Sequence, residues 1–338
     1  MCSSDLAIVP DFPVGPARMR SVMLAFVLAL AFGIGLALVL EYLDDTVHST
    51  DDVEKVLRLP ALAVIPAMGA GTKRRKLMST ASALQKRNGS NGTNPELLLH
   101  VTGRSALAEA YRQLRTSVLL STAGRAPKTL LVTSSLPGEG KTTTAVNTAI
   151  SLAQTGVKVV IIDADMRRPR LRSIFDLPEG DGLSSILSSE MAEAEMLATI
   201  ARDEVSGLYV LASGPVPPNP AELLGSDQMR KLIELLGQHF THIVIDSPPV
   251  NSFTDGVLIA SIVDGVLLVV HGGKSSRGVV RRSRQLLMDI GAKIVGVVLN
   301  NVSARSHDYY YYHQRYYNDN YYSSDSPVEK TSAETPGL

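Results

Sequence analysis

The chain of 338 residues has no tryptophan, six phenylalanines and one cysteine, Cys2. A single cysteine can build neither an intrachain disulfide nor a thiolate metal centre. That excludes a disulfide-stapled fold and fits a reducing compartment for the main domain. Excess charge is lacking too, since 33 Lys and Arg balance 33 Asp and Glu. Without a basic field, nucleic acid is not an expected partner. The aromatic scarcity has one exception: of eleven tyrosines, eight fall between Tyr309 and Tyr322. Any account of function has to explain them.

What is present is enough apolar residue for a core, 45% against 20% charged, and one long apolar run. Residues 21–40 carry no charge. As a helix rising about 1.5 Å per residue they span roughly 30 Å, the thickness of a bilayer's hydrocarbon. A core helix would show a polar stripe, and this run shows none. A secretory segment would lead to a small-residue cleavage site, whereas this one leads to Glu41-Tyr42-Leu43-Asp44-Asp45. The run therefore predicts a transmembrane helix.

Composition divides the rest. Residues 41–66 read as a juxtamembrane segment: a short acidic helix capped by Ser49 or Thr50, then an apolar stretch, Leu62 to Ile65. Residues 67–103 shift to Gly, Ser, Asn, Lys and Arg and read as a flexible linker. Across 104–305, strand-length apolar runs alternate with amphipathic helical stretches. The strand candidates are Thr129–Ser134, Lys158–Asp163, Leu208–Ala212, His242–Asp246, Gly265–His271 and Lys293–Asn300. Runs apolar at every position imply strands covered on both faces. The expected fold is α/β, a mostly parallel sheet between helical layers. Residues 306–338 turn polar and Tyr-rich and read as a tail.

The first candidate strand feeds Ser135-Leu136-Pro137-Gly138-Glu139-Gly140-Lys141-Thr142-Thr143 and then a helix. This is the phosphate-loop pattern, with Ser135 where the first glycine usually stands. Its glycines let backbone N–H groups turn toward phosphates, and the helix N-terminus adds its dipole. Lys141 is expected to charge-pair the transferring phosphoryl, and the Thr142 hydroxyl to join a Mg²⁺ shell. Two further strands end in acids, Asp163 with Asp165 and Asp246, on the sheet edge where open parallel sheets bind ligands. Asp165 and Asp246 are the expected metal residues, and Asp163 the expected proton acceptor. Asn300, ending the last strand, is a candidate for the nucleotide base. An ATP site requires the cytoplasm. The counts of Arg18 and Arg20 against Lys55 and Arg58 leave orientation open, so the site decides it: residues 1–20 extracytoplasmic, everything after Leu40 inside the plasma (inner) membrane.

These motifs resemble the bacterial tyrosine kinases of capsule and exopolysaccharide assembly. The resemblance covers roughly residues 20 to 325. It is carried by the loop Ser135–Thr142, by Ile161–Arg167 with its Asp-Met-Arg ending, and by Ile243–Asp246 followed by Ser247-Pro248-Pro249. Also matching are residues 218–224, Asp255 and the terminal tyrosines. It implies a P-loop NTPase fold and an ATP- and Mg²⁺-dependent protein-tyrosine autokinase. Its phosphoacceptors would be Tyr309, Tyr310, Tyr311, Tyr312, Tyr316, Tyr317, Tyr321 and Tyr322, modified between subunits. Glu109, Arg112 and Arg115 match an E-x-x-R-x-x-R element implying a homo-oligomeric ring. The implied partners are the polysaccharide polymerisation and export machinery and a phosphotyrosine phosphatase. Membrane-fused relatives carry a first span and an extracytoplasmic domain, which leaves an N-terminally incomplete copy and a reduced form as alternatives. Two other functions share the fold: a partition-type ATPase switch without kinase activity, and a non-catalytic chain-length regulator.

Overall fold

The computed structural model describes residues 18–67, 97, 105–121 and 126–303. The tyrosines of the predicted tail and most of the predicted linker lie outside the described residues. The chain forms two units, Met1–Asp45 and Thr46–Leu338. In the first, helix α1 (Arg18–Leu43) extends the predicted span at both ends. Its side chains are exposed from Met19 onward, and it is long and apolar enough to cross a membrane.

The second unit holds an eight-stranded sheet. The strands are β1 (Ala61–Pro66), β2 (Thr129–Ser134), β3 (Val159–Asp163), β4 (Ala201–Arg202), β5 (Tyr209–Leu211), β6 (His242–Asp246), β7 (Gly265–His271) and β8 (Ile294–Val302). Their order is β1-β8-β7-β2-β6-β3-β5-β4, and only the β4–β5 pair is antiparallel. The helices are α2 (Thr50–Leu57), α3 (Ala106–Leu120), α4 (Lys141–Ala153), α5 (Leu171–Ile174), α6 (Leu183–Ser188), α7 (Glu193–Ala198), α8 (Pro220–Leu224), α9 (Asp227–His239), α10 (Asp255–Ala260) and α11 (Arg277–Asp289).

The central strands are apolar throughout because each face has its own helical cover. Along β2, Leu130 and Val132 pack with α3 and α4 through Leu114, Val118, Ala149 and Ile150. Leu131 points the other way, toward Leu232 and Leu236 of α9 and Ile259 of α10. Alternation with period two thus feeds two cores. A third forms where Val53 and Leu57 of α2 meet Val64, Leu268 and Val297.

Residues 46–66 belong to this sheet unit. Ser49 is the cap of α2: its hydroxyl accepts from the Asp52 N–H while the Asp52 carboxylate accepts from the Ser49 N–H. The stretch Leu62–Ile65, with no strand expected there, is the edge strand β1, parallel to β8. Gly296 makes the approach possible, because a Cβ there would lie 2.6 Å from Leu62 Cγ and 2.7 Å from the Pro60 carbonyl.

Candidate active site

Strands β2, β3 and β6 lie side by side and end together. Asp163 stands in register with Asp246 across the β3–β6 pair, and the Ala164 N–H donates to the Asp246 carbonyl at 2.8 Å. The loop leaving β2 therefore faces both acids. In that loop Gly138 and Gly140 adopt φ of 81° and 94°, the left-handed region that glycine tolerates best. Gly140 is also the N-cap of α4 and has no side chain to satisfy the helix's first N–H groups. Those donors remain available to an anion.

Lys141, the first residue of α4, reaches both neighbouring strands. Its ammonium lies 2.7 Å from Asp165 and 3.7 Å from Asp246. It also donates to the Thr142 hydroxyl at 3.1 Å. Burial would lower the Lys141 pKa, but Asp246 and Asp165 outweigh it and hold the ammonium above its usual value. Asp246 is buried, and neither of its carboxylate oxygens has a hydrogen-bond donor among the described residues. Burial pushes it above the usual carboxylate range despite Lys141. Asp163 is pushed up to about 7, by burial first and by the charge of Asp246 second. Its Oδ2 accepts from the Arg170 and Leu171 N–H groups, both at 2.9 Å. Its buried Oδ1 has no donor among the described residues. The two acids of this motif are thus distinct: Asp163 is sealed, and Asp165 lines the cavity.

That cavity holds about 450 Å³ and is lined by Pro137, Gly138, Gly140, Lys141, Thr142, Thr143 and Asp165. Arg167, Arg168, Arg170, Pro248, Pro249, Ser252 and Phe253 complete the lining. A larger open groove of about 1160 Å³, lined in part by Lys128, His242 and Lys293, sits at the opposite, N-terminal ends of the strands and offers no comparable cradle. The P-loop, the acids and the helix N-terminus mark the smaller cavity as the chemical site.

Three sequence-selected residues do something other than line this cavity. Ser135 is fully buried and accepts a hydrogen bond from Ser283 of α11 at 2.8 Å. Its φ is not positive, so glycine is not required there. Glu139 is buried, its carboxylate accepting from the Ser275 hydroxyl and from the Leu136 N–H at 2.9 Å. Asn300 donates its amide to the Glu139 carbonyl at 2.9 Å. Together they brace the loop from behind. On α3, Glu109 and Arg112 pair with each other, while Arg115 donates to the Ser151 carbonyl at 2.8 Å. Sequence reasoning missed the bracing serines Ser275 and Ser283, which carry no motif. Asp255 and Arg167 each lie in a sequence motif, but nothing in the sequence pairs them. Buried Asp255 grips Arg167 in a two-point contact at 2.8 and 3.0 Å, and Arg167 lies 4.3 Å from the Phe253 ring centroid.

The family model ParA, described as NUBPL iron-transfer P-loop NTPase, matches residues 125–320. Tyrosine-protein kinase YwqD of Bacillus subtilis (strain 168) is 33% identical over 231 residues, 68% of this chain and 96% of YwqD. The chain belongs to the bacterial tyrosine-protein kinases. Tyrosine-protein kinase etk of Escherichia coli (strain K12) is 31% identical over 308 residues, 91% of this kinase chain but 42% of etk. The chain thus spans less than half of that relative's length. The solved kinase domain of Escherichia coli ETK superposes with a TM-score of 0.65 at 30% identity, covering 77% of this chain and 96% of that domain. The chimerical protein CapA2B2 gives 0.63 at 32% identity, covering 75% and 100%.

Proposed function

We propose that this tyrosine-protein kinase transfers the γ-phosphoryl of ATP to the tyrosines at 309–312, 316, 317, 321 and 322 of a neighbouring copy of itself. The observation that carries the reading is the convergence of Lys141, Asp163, Asp165 and Asp246 at the C-terminal ends of three adjacent strands. The tyrosine cluster supplies the acceptors. The other tyrosines are poorly suited to the role: Tyr111 is fully buried, Tyr209 packs edge-on against Phe240 with ring centroids 5.1 Å apart, and Tyr42 lies in α1.

The roles follow from the geometry. The N–H groups opening α4 and the loop glycines receive the phosphates. Lys141 exchanges its carboxylate contacts for the γ-phosphate, which frees the acids it bridges. A tyrosine oxygen attacks the γ-phosphorus, the bond to the β-phosphate oxygen breaks and ADP leaves. The phenolic proton passes to the acids of this motif: Asp165 lines the cavity and meets it first, and Asp163 behind it has the pKa near 7 that suits a base working at neutral pH. The donor-free carboxylate of Asp246, with Asp165 and the Thr142 hydroxyl, is the hard-oxygen set that fits Mg²⁺. When bound, that ion neutralises phosphate charge. We assign Asn300 to bracing the loop, since its amide donor is taken up by Glu139. Helix α1 would hold the kinase at the cytoplasmic face of the plasma membrane, and Glu109 and Arg112 would meet the next subunit of a ring, with Arg115 tied to its own subunit. In that setting the kinase regulates exopolysaccharide or capsule polymerisation and export, opposed by a phosphatase.

Mixing tests the reading. A full-length Lys141→Met chain is incubated with MgATP and an active chain lacking residues 306–338. Phosphate on the inactive chain's tyrosines is the expected outcome, and an unmodified inactive chain would contradict transfer between subunits.

A further inference from the structure

Among the described residues of the sheet unit, Phe253 is the one aromatic side chain left exposed, at 39%. It lines the catalytic cavity beside Pro248 and Pro249. An apolar ring offers nothing to a phosphate, so its place in this wall needs another ligand to explain it. The loop that carries it is pinned from several sides. The Val250 N–H donates to the Ser134 carbonyl at 3.0 Å, and the Thr133 hydroxyl donates to the Pro248 carbonyl at 3.0 Å. The Asn251 amide donates to the Val279 carbonyl and the Ser283 hydroxyl of α11, at 3.1 and 2.7 Å. The Phe253 N–H closes a turn on the Pro249 carbonyl at 3.2 Å. Its ring is backed as well. The Arg167 guanidinium lies 4.3 Å from the ring centroid and is itself held by buried Asp255 through two hydrogen bonds. A side chain fixed in this way loses little freedom when a ligand meets it.

Position decides which ligand. In the strand order β8-β7-β2-β6-β3, the loop carrying Phe253 follows β6 and Arg167 follows β3. Both therefore stand on the Asp165 side of the phosphate loop, whereas Asn300 braces that loop from β8. Lys141 and Asp165 mark the γ-phosphoryl end of the nucleotide in the reading above. The ring thus stands where an acceptor comes in, away from the strand that braces the loop. Tyrosine brings an aromatic ring to such a wall, and aromatic pairs gain from edge-to-face or offset stacking beyond their buried area. Serine and threonine bring no ring.

Resting on the kinase reading above, we infer that Phe253 is the platform on which the ring of the acceptor tyrosine packs. Pro248 and Pro249 extend that platform, and the Arg167–Asp255 pair holds it in place. Phe253 then selects tyrosine over serine and threonine and sets the phenolic oxygen toward the γ-phosphorus, without touching the nucleotide.

The test compares full-length native protein with Phe253→Ala and Phe253→Trp at saturating MgATP. The initial rate of phosphotyrosine formation is read by intact mass, and ATP affinity is measured in parallel. Phe253→Ala should slow tyrosine phosphorylation roughly tenfold, the scale of one lost aromatic contact with its buried area. ATP affinity should stay at the native value. Phe253→Trp keeps an aromatic face and should stay near the native rate. A native rate in Phe253→Ala would overturn the platform, and so would an equal loss in the alanine and tryptophan variants. A fall in ATP affinity as large as the fall in rate would assign the wall to the nucleotide base instead. No phosphotyrosine at all in the native protein would remove the kinase reading, and the platform with it.

Discussion

Asn300, the seventh residue of β8 (Ile294–Val302), donates its side-chain amide to the backbone carbonyl of Glu139 at 2.9 Å. Gly140 lies directly beneath, and a Cβ there would fall 2.0 Å from that amide nitrogen. The end of the last parallel strand thus clamps the phosphate loop. Losing a hydrogen bond of this kind costs about 1 kcal/mol. Asn300→Ala should therefore weaken nucleotide binding about fivefold, for ATP and GTP alike, because the loop and not the base is affected. Titration of both nucleotides checks this. Weakening confined to ATP would return Asn300 to the adenine edge.

The chemistry-bearing residues were the legible part of the site. Asp163 and Asp246 end apolar runs, Lys141 and Thr142 follow another through the phosphate-loop pattern, and burial on both faces forces those runs to be continuous. Strands β2, β6 and β7 consequently match their expected bounds. Strand β1 was not legible. It is a short run between Pro60 and Pro66, and what makes it a strand is β8, more than two hundred residues later in the chain. The braces were hidden for the same reason. Ser275 to Glu139, Ser283 to Ser135 and Asn300 to Glu139 span 136, 148 and 161 residues. A serine hydroxyl has no spacing signature, and only the folded sheet reveals its partner.

Asp163 gives the fold a pH dependence of definite sign. An unfolded carboxyl ionises near 3.9, whereas the folded protein keeps the Asp163 proton up to about 7. Between those values the folded state binds the extra proton, so this group's contribution to stability falls as pH rises and levels off above about 7. Asp163→Asn removes that slope. Relative to native protein, the nucleotide-free variant should melt higher at about pH 8 than at about pH 5. A difference independent of pH would contradict the buried acid. A base must be ionised to accept a proton, so phosphotransfer should rise with pH through about 7 in the native protein.

The three charged residues on α3 (Ala106–Leu120) are unequal. Arg115 is tied to the Ser151 carbonyl of its own subunit, so Arg115→Ala should lower stability by about 1 kcal/mol in urea unfolding. Glu109 and Arg112 pair on a partly exposed face, and such pairs contribute about 0–1 kcal/mol. Glu109→Ala with Arg112→Ala should leave the unfolding midpoint nearly unchanged while reducing the mass seen by light scattering of dephosphorylated protein. An unchanged mass would show this face to be plain surface.

Peptide mapping of the full-length protein after incubation with MgATP is the most direct test of the central claim. Phosphate should appear on several of the eight tyrosines between Tyr309 and Tyr322. The Lys141→Met and Asp246→Asn chains, incubated separately, should be slower by on the order of 10²–10³, the usual cost of losing one preorganised charge at a transferring phosphoryl. Release of ADP and inorganic phosphate with every one of those tyrosines unmodified would contradict the account, leaving an ATPase switch on a kinase-like fold.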